Sequence, residues 1–82
     1  MLKNGEKIVC ISNIISDGDR KHTINSITIG NVYTIISSDK VYEDNGIIYF
    51  ITNDTNDNYW YDSFSFIPLK EYRRRVKAQV LL

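Results

Sequence analysis

The fold is decided by residues 47–61, IIYFITNDTNDNYWY, in which two runs of strand-forming residues flank a polar segment. Isoleucine and aromatic side chains favour the pleated, half-buried surface of a strand. Residues 47–52 are apolar on both alternating faces, which predicts a strand in the interior of a sheet. The Asn- and Asp-rich residues 53–58 predict a hairpin connection, and residues 59–61 predict the strand that follows it.

The chain before this hairpin contains two further predicted strands. Residues 8–11 predict the first strand, with a less definite extension to Ile15, and residues 32–36 predict the second. The polar residues 16–26 between them predict a long loop, and Gly30-Asn31 predicts a tight turn just before the second strand. Residues 37–46 predict another connection, which closes with the turn signal Asp44-Asn45-Gly46.

The chain after the hairpin predicts a short strand and then a helix. Residues 63–65 suggest a single helical turn, and residues 66–67 suggest a fifth strand. Pro68 suits the first turn of a helix, and the apolar residues that follow recur at spacings of three and four: Leu69, Tyr72, Val76 and Val80. The chain therefore predicts a mainly β protein of one domain, 1–82: a small five-stranded SH3-like barrel over about 5–68 with a C-terminal α-helix over about 68–81.

Composition limits the function and the location of the protein. Ten basic and ten acidic residues among 82 give a formal net charge of zero. This balance argues against a general nucleic-acid coat, whose affinity comes mainly from neutralised phosphates, unless the basic residues are segregated. A single cysteine cannot form an intramolecular disulfide, and no long apolar stretch is present. We therefore expect no signal peptide, no membrane span and a cytoplasmic location.

Four segments of the chain carry a resemblance to a known family. Residues 5–11, 27–35, 59–61 and 66–69 read GEKIVCI, ITIGNVYTI, YWY and FIPL. They resemble segments of small uncharacterised proteins encoded by tailed bacteriophages, which follow the patterns G-(D/E)-K-V-V-C-I, L-T-x-G-K-x-Y-x-V, an aromatic strand, and F-x-x-L-x-E-Y-R. Asn31 departs from the lysine of the second pattern. The resemblance implies an SH3-like barrel, a phage accessory role and a location in the host cytoplasm.

Neither a catalytic nor a metal centre is predicted. Cys10 and His22 are the only candidates for a nucleophile and its base, but Cys10 lies in an apolar strand, where a free cysteine usually behaves as a small buried hydrophobe. Residues 54–58 imitate the start of a calcium loop, yet Tyr59 and Ser65 stand where that loop requires glycine and glutamate. One cysteine and one histidine cannot supply four zinc ligands. We expect a protein that is not an enzyme and needs no cofactor.

The first candidate binding surface is aromatic. Along the strand at 59–61, Tyr59 and Tyr61 share one face and Trp60 takes the other, and the interior of so small a barrel cannot enclose both sets. Part of this cluster is therefore expected outside, with Tyr33, Tyr42 or Tyr49 as further candidates, and large rigid rings on a surface serve as binding anchors. The alternative is that these rings cover the C-terminal helix.

The second candidate surface is basic and lies on the helix. Lys70 and four further cations project mainly away from the apolar stripe: Arg73, Arg74, Arg75 and Lys77. This face could bind a phosphate backbone or an acidic protein, or it could be an ordinary solvated helix face. The apolar residues 78–82 must be buried against the barrel or against a second copy, so a homodimer through the C-terminal helix is a further expectation.

Three functions are consistent with these features. The first is a non-catalytic binding module, namely a phage accessory protein that binds and modulates a host or phage protein, with inhibition of a bacterial defence as one form. The alternative is a nucleic-acid-binding barrel that uses surface aromatics and the basic helix, and the third is a structural role in the virion. Aromatics that adjoin the arginines would favour a nucleic acid or acidic partner, and separation would favour an apolar protein contact.

Overall fold

The computed structural model describes residues 2–17, 19–41 and 46–80. Within these ranges, seven strands and one α-helix follow each other, with a single 3₁₀ turn at Ser63–Ser65. The strands are β1 (Lys7–Cys10), β2 (Ile14–Asp17), β3 (Arg20–Thr23), β4 (Val32–Val41), β5 (Gly46–Thr52), β6 (Asn58–Asp62) and β7 (Phe66–Pro68), and the helix is α1 (Leu69–Val80). The prediction of a mainly β protein with one C-terminal helix is confirmed.

Five of the strands form one antiparallel sheet in the order β6-β5-β4-β1-β7, and β2 and β3 form a separate hairpin. β5 has a neighbour on each side, which confirms the prediction of an interior strand at 47–52. Within the described ranges no ladder joins the two outermost strands, β6 and β7. The sheet is therefore open, and closure into a barrel is not shown.

The core lies on one face of this sheet and is organised around Phe66. The Phe66 ring meets the rings of Tyr33, Tyr49 and Tyr61 edge-on, with centroids 6.0, 6.5 and 6.3 Å away. Aliphatic side chains fill the remaining space: Ile8, Ile27, Ile35 and Ile51, with Cys10. Because Tyr61 lies on β6 and Phe66 on β7, these contacts draw the two ends of the strand order toward each other and curl the sheet.

The other face of the sheet carries the helix. Val9 and Ile67 are paired across β1 and β7, and both side chains are buried, although they point away from the Phe66 cluster. α1 contacts these same two strands and so covers that end of the sheet. Pro68 closes β7 and the helix begins at Leu69, one residue later than predicted. The predicted end at residue 81 lies outside the described residues.

Two expectations about the first half of the chain are wrong. Residues 16–26 were expected to form a long loop and the first strand to run toward Ile15, but β1 ends at Cys10 and the chain then builds the β2–β3 hairpin. The second predicted strand is longer than expected: β4 continues to Val41 and keeps pairing with β5 after a register shift between Ile35 and Ser37. The turn signal at Asp44-Asn45 lies outside the described residues.

The tight turn before β4 is confirmed. Gly30 has a φ of +91°, a backbone conformation that glycine adopts without steric cost. Its amide donates to the carbonyl of Cys10 at 2.8 Å, and the amide of Asn31 donates to the carbonyl of Thr28 at 3.1 Å. The turn therefore joins the connection after the hairpin to the end of β1.

Candidate binding surfaces

A groove runs between the β2–β3 hairpin and strand β6. Its volume is about 390 Å³, and side chains from four segments line it: Ile15, Ile24, Ser26, Asn53, Thr55, Asp57, Tyr59, Trp60 and Tyr61. We call it the aromatic groove. The two isoleucines of its hairpin wall were not predicted as site residues, because the hairpin itself was not predicted. The turn signal Asp17-Gly18 between two short β-capable runs was the available indication.

Strand β6 presents two large rings to solvent at the edge of the sheet. The side chain of Tyr59 is 64% exposed and that of Trp60 is 40% exposed, with the Trp60 ring 4.9 Å from the Phe50 ring of β5. The expectation that part of the aromatic cluster lies outside is thus confirmed. The helix packs on β1 and β7, and both rings remain exposed, which disfavours the alternative that they cover the helix.

Two of the predicted surface aromatics belong to the core instead. Tyr33 is only 6% exposed and Tyr61 only 8% exposed, because alternation along β4 and β6 turns both rings toward Phe66. The expectation that Tyr33 and the Tyr61 ring form part of an exposed surface is therefore wrong. Their hydroxyl groups instead form hydrogen bonds with the loops beside the groove.

The turn that precedes β6 is held by one side chain. The Oδ1 atom of Asn53 accepts hydrogen bonds from the amides of Thr55 and Asp57 at 3.1 and 3.0 Å, and from the Thr55 hydroxyl at 2.8 Å. The Asn53 amide in turn donates to the Asp57 carbonyl at 2.8 Å. Asn56, at φ +65°, completes the turn in the left-handed region that Asn tolerates. The prediction of an Asn- and Asp-rich hairpin connection is confirmed.

Tyrosine hydroxyls connect this turn to residues 26–28. The Tyr61 hydroxyl lies 2.6 Å from the Ser26 hydroxyl and accepts a hydrogen bond from Asn53 Nδ2 at 3.0 Å. The Asp54 amide also donates to the carbonyl of Ser26 at 2.9 Å. Tyr61 thus places its ring in the core and its polar end on the floor of the groove, as buried tyrosines usually do.

Asp54 completes the same network with its carboxylate. Oδ2 accepts from the Thr28 hydroxyl at 2.6 Å, and Oδ1 accepts from the Tyr33 hydroxyl at 2.7 Å. The Tyr33 hydroxyl itself accepts from the Thr28 amide at 2.8 Å. These hydrogen bonds favour the ionised form, with Thr28 the larger cause, and lower the pKa of Asp54. Burial raises the pKa of Tyr33, so at neutral pH the tyrosine donates and the aspartate accepts.

The edge around β6 is acidic. Residues 52–62 contain Asp54, Asp57 and Asp62 and no lysine or arginine. Among the described residues the only ion pair is that of Arg75 with Glu71, so no cation neutralises these carboxylates directly. The segment 52–62, which includes β6, therefore carries a net negative charge.

A second groove, with a volume of about 330 Å³, lies where the helix meets β1 and β7. It is lined by Glu6, Lys7, Pro68, Leu69, Lys70 and Arg73, and we call it the basic groove. The predicted basic face is only partly assembled here. Arg73 lines the groove, Arg75 is paired with Glu71 at 2.7 Å, and Arg74 and Lys77 are exposed further along the helix. Lys7, which was not predicted, joins from β1 and donates to the Thr34 hydroxyl at 2.5 Å.

The two grooves are separate, since they have no lining residue in common. Although the curl of the sheet draws β6 toward β7, Tyr59 and Trp60 line one groove and Arg73 lines the other. The exposed aromatics of β6 therefore do not adjoin the arginine of the basic groove.

The remaining candidate residues lie apart from both grooves. Cys10 is fully buried in the core, its thiol lies 3.4 Å from the carbonyl of Ser12, and burial raises the pKa of the thiol. His22 is exposed on β3. Over residues 2–17, 19–41 and 46–80, no three His, Cys, Asp or Glu side chains are grouped as a metal site would need. No helix in those ranges is long and apolar enough to cross a membrane. The expected dimer contact through residues 78–82 concerns side chains outside the description.

Comparison of the chain with protein-family models, curated proteins and solved structures finds no match.

Proposed function

We propose that this protein is a non-catalytic binding module that captures a protein partner along strand β6. The observation that carries the proposal is the exposure of Tyr59 and Trp60 on an outermost strand, beside an apolar groove. Exposed tyrosine and tryptophan are favoured anchors of protein contacts because each offers a large, rigid area with a polar end. The hydrogen bonds of Asn53 and Asp54 hold the rim of this groove in place before any partner arrives, which reduces the entropy lost on binding.

The proposed fold is an SH3-like barrel. Setting the β2–β3 hairpin aside, the first four strands of the sheet follow one another as neighbours, and β7 returns to pair with β1. A helical turn at Ser63–Ser65 precedes this last strand, as in SH3-like barrels. The ring contact between Tyr61 and Phe66 brings the two outer strands into one core, which supports the barrel description although the two strands are not hydrogen-bonded.

The proposed biological setting is that of a phage accessory protein which modulates a host or phage protein. This part rests on the sequence resemblance of residues 5–11, 27–35, 59–61 and 66–69 to small proteins of tailed bacteriophages. Binding to and inhibition of a bacterial defence protein is one form that the modulation would take. The separation of the exposed aromatics from the basic groove supports a protein partner over a nucleic acid.

The test is a comparative capture from nuclease-treated bacterial lysate. The immobilised proteins are the wild type, the double variant Tyr59→Thr/Trp60→Thr and the control Phe64→Thr. Threonine retains strand propensity, and Phe64 is also 64% exposed but lies outside the aromatic groove. We expect a specific protein to be retained by the wild type and the control and lost by the double variant. Equal retention by all three, or no retained protein, would reject the proposal.

The basic groove favours a second candidate function, which is binding to a nucleic-acid backbone. Lys7, Lys70 and Arg73 converge on one concave surface, and only Glu6 opposes them there. We expect the variant Lys70→Gln/Arg73→Gln to reduce binding of a labelled single-stranded oligonucleotide and to lower the salt slope by roughly one per lost phosphate contact. Lys40→Gln is the control, since Lys40 is an exposed cation on β4 and does not line the groove. A wild type that does not bind at low salt excludes this function.

A further inference from the structure

The outer edge of β6 carries peptide groups that have no hydrogen-bond partner among the described residues, and they follow a known pattern. Asn53 donates its amide hydrogen to the Asp57 carbonyl at 2.8 Å, and the ladder then continues through the opposed residues Thr52 and Asn58. In an antiparallel ladder, hydrogen-bonded and non-hydrogen-bonded pairs alternate. The peptide groups of Tyr59 and Tyr61 therefore face β5. Those of three alternate residues face away from the sheet: Asn58, Trp60 and Asp62.

The two faces of β6 differ in their chemistry. The side chains of Tyr59 and Tyr61 lie on the groove side, where Ile15 and Ile24 form the opposite wall. Trp60 also contributes to the lining of the groove, but its ring packs on Phe50 on the other face, which Asp62 shares because successive residues of a strand alternate. A strand added at this edge would thus meet an apolar groove on one side and a ring with a carboxylate on the other.

The negative charge of the β6 edge determines which kind of ligand can bind there. A second copy of the chain, paired through β6, would bring two sets of Asp57 and Asp62 together with no lysine or arginine on either strand, and like charges across a sheet destabilise it. Nucleic-acid phosphates would be repelled in the same way. A peptide bearing lysine or arginine would instead be attracted to Asp62 and could place its cation on the Trp60 ring.

We propose that β6 accepts an extended segment of a partner protein as an added antiparallel strand, with alternating apolar and basic side chains. The apolar side chains enter the aromatic groove, and the basic side chains lie on the opposite face against Trp60 and Asp62. Main-chain hydrogen bonds supply affinity and the alternating pockets supply specificity, as in other cases of strand addition. The inference rests on the proposed protein-binding function and specifies its ligand.

The probe is an acetylated, amidated nonapeptide in which lysine alternates with valine. Trp60 is the only tryptophan of the chain, so its fluorescence reports binding directly at the proposed edge. We expect saturable binding that weakens with added salt, since the charges are exposed. A peptide with glutamate in place of lysine is expected to bind more weakly, by roughly two- to fivefold for each lysine–aspartate pair lost. Equal binding of both peptides would overturn the proposal.

Backbone methylation tests the strand geometry itself. In an antiparallel arrangement the peptide residue opposite Trp60 shares its face and turns its amide toward β6. Methylation of the lysine amides should therefore abolish binding, whereas methylation of the valine amides should leave it within roughly twofold. Equal binding of the two methylated peptides, or loss with methylated valines instead, contradicts antiparallel addition.

A protein variant locates the charge contact. Asp62→Asn is expected to reduce the preference for lysine over glutamate by roughly two- to fivefold. Asp39→Asn, on β4, is the matched control and should leave the preference unchanged. An equal effect of both changes would attribute the preference to overall charge and overturn the assignment to Asp62.

The outcomes separate this inference from the proposed function. If the lysine–valine peptide does not bind but capture of a lysate protein still depends on Tyr59 and Trp60, strand addition is wrong and the protein-binding function stands. If capture does not depend on those two residues either, both proposals are wrong.

Discussion

The aromatic groove and the basic groove differ in how their side chains are held. Beside the aromatic groove, hydrogen bonds link Tyr61 to Ser26 and to Asn53, Thr28 to Asp54, and the Asp57 amide to Asn53 Oδ1. In the basic groove Lys7 of β1 is held by its hydrogen bond to Thr34, whereas Lys70 and Arg73 are long side chains on the helix, whose ion pair is exposed. The first arrangement suits recognition by shape and backbone geometry, since little freedom remains to be lost. The second suits weaker, salt-sensitive attraction of an anion.

The largest expected loss of stability comes from substitution of Phe66, which joins the helical side of the sheet to strand β6. Phe66 lies on β7, beside the helix, and packs on the Tyr61 ring of β6. Phe66→Ala should reduce the free energy of unfolding by about 3–5 kcal/mol, much of the stability of a domain of this size. Urea unfolding followed by far-UV circular dichroism and by Trp60 fluorescence measures it. The matched control is Phe64→Ala, an exposed ring, with an expected change within about 0.5 kcal/mol.

The two probes also test whether the regions are independent. A coincident transition in both signals, shifted to lower urea by Phe66→Ala, is expected of one cooperative unit. Separate transitions, with the Trp60 signal unaffected by the loss of Phe66, would show that the aromatic edge folds without the helical side.

A medium loss of stability is expected from substitution of Gly30, whose turn lies between the aromatic groove and the helix. The connection that contains Gly30 bonds to Asp54 through Thr28, and a Cβ on Gly30 would lie 3.9 Å from the Tyr72 hydroxyl of the helix. Space is therefore sufficient, and the cost of Gly30→Ala comes from its φ of +91°. We expect a loss of about 1–2 kcal/mol in the free energy of unfolding. Gly30→Asn, which tolerates this region better, should lose less, and an equal loss would contradict the backbone explanation.

A smaller, pH-dependent loss of stability is expected from substitution of Asp54, whose carboxylate holds only the loops beside the aromatic groove. The Thr28 and Tyr33 hydroxyls lower its pKa in the folded state below the ordinary value of 3.8. Its contribution to stability is therefore present above that ordinary value and is lost as the pH falls through the lowered one. Asp54→Asn should reduce the free energy of unfolding by about 1 kcal/mol at pH 7. The difference from the wild type should shrink in acid.

Urea unfolding of both proteins between pH 7 and pH 2.5 measures this difference, with Asp39→Asn as the control for a general loss of negative charge. A difference that stays constant over the whole range would show that the carboxylate is not the group responsible.

The features that the sequence could predict are those marked by local patterns, and the features that it could not predict depend on contacts between distant segments. Strand β5 and the helix were predictable because local periodicity marks them, and the Asn53 turn because Asn and Asp favour it. The β2–β3 hairpin was missed because polar residues dominate it and its few isoleucines remain exposed. The positions of Tyr33 and Tyr61 depend on which face of the curled sheet becomes the core. Likewise Lys7 joins the basic groove only through the pairing of β1 with β7, a contact between distant parts of the chain.

The smallest expected effect concerns the exposed pair of Glu71 and Arg75 on the basic side. Their side chains are largely in water and four residues apart on one helix, a geometry worth about 0.3–0.5 kcal/mol. Glu71→Gln should reduce the free energy of unfolding by that amount at low salt and by almost nothing at 1 M salt, where the attraction is screened. The double variant Glu71→Gln/Arg75→Gln should lose little more than the single one, since the pair interacts only with itself.

The same variant distinguishes the two grooves by function. Removal of Glu71 frees the Arg75 guanidinium and raises the net charge of the helix by one, so any oligonucleotide binding through the basic groove should become stronger. Binding of the lysine–valine peptide at β6 should not change, because Glu71 lies on the helix and does not line the aromatic groove. Fluorescence titrations of both ligands measure this contrast. A change in peptide binding with unchanged oligonucleotide binding would reverse the roles assigned to the two surfaces.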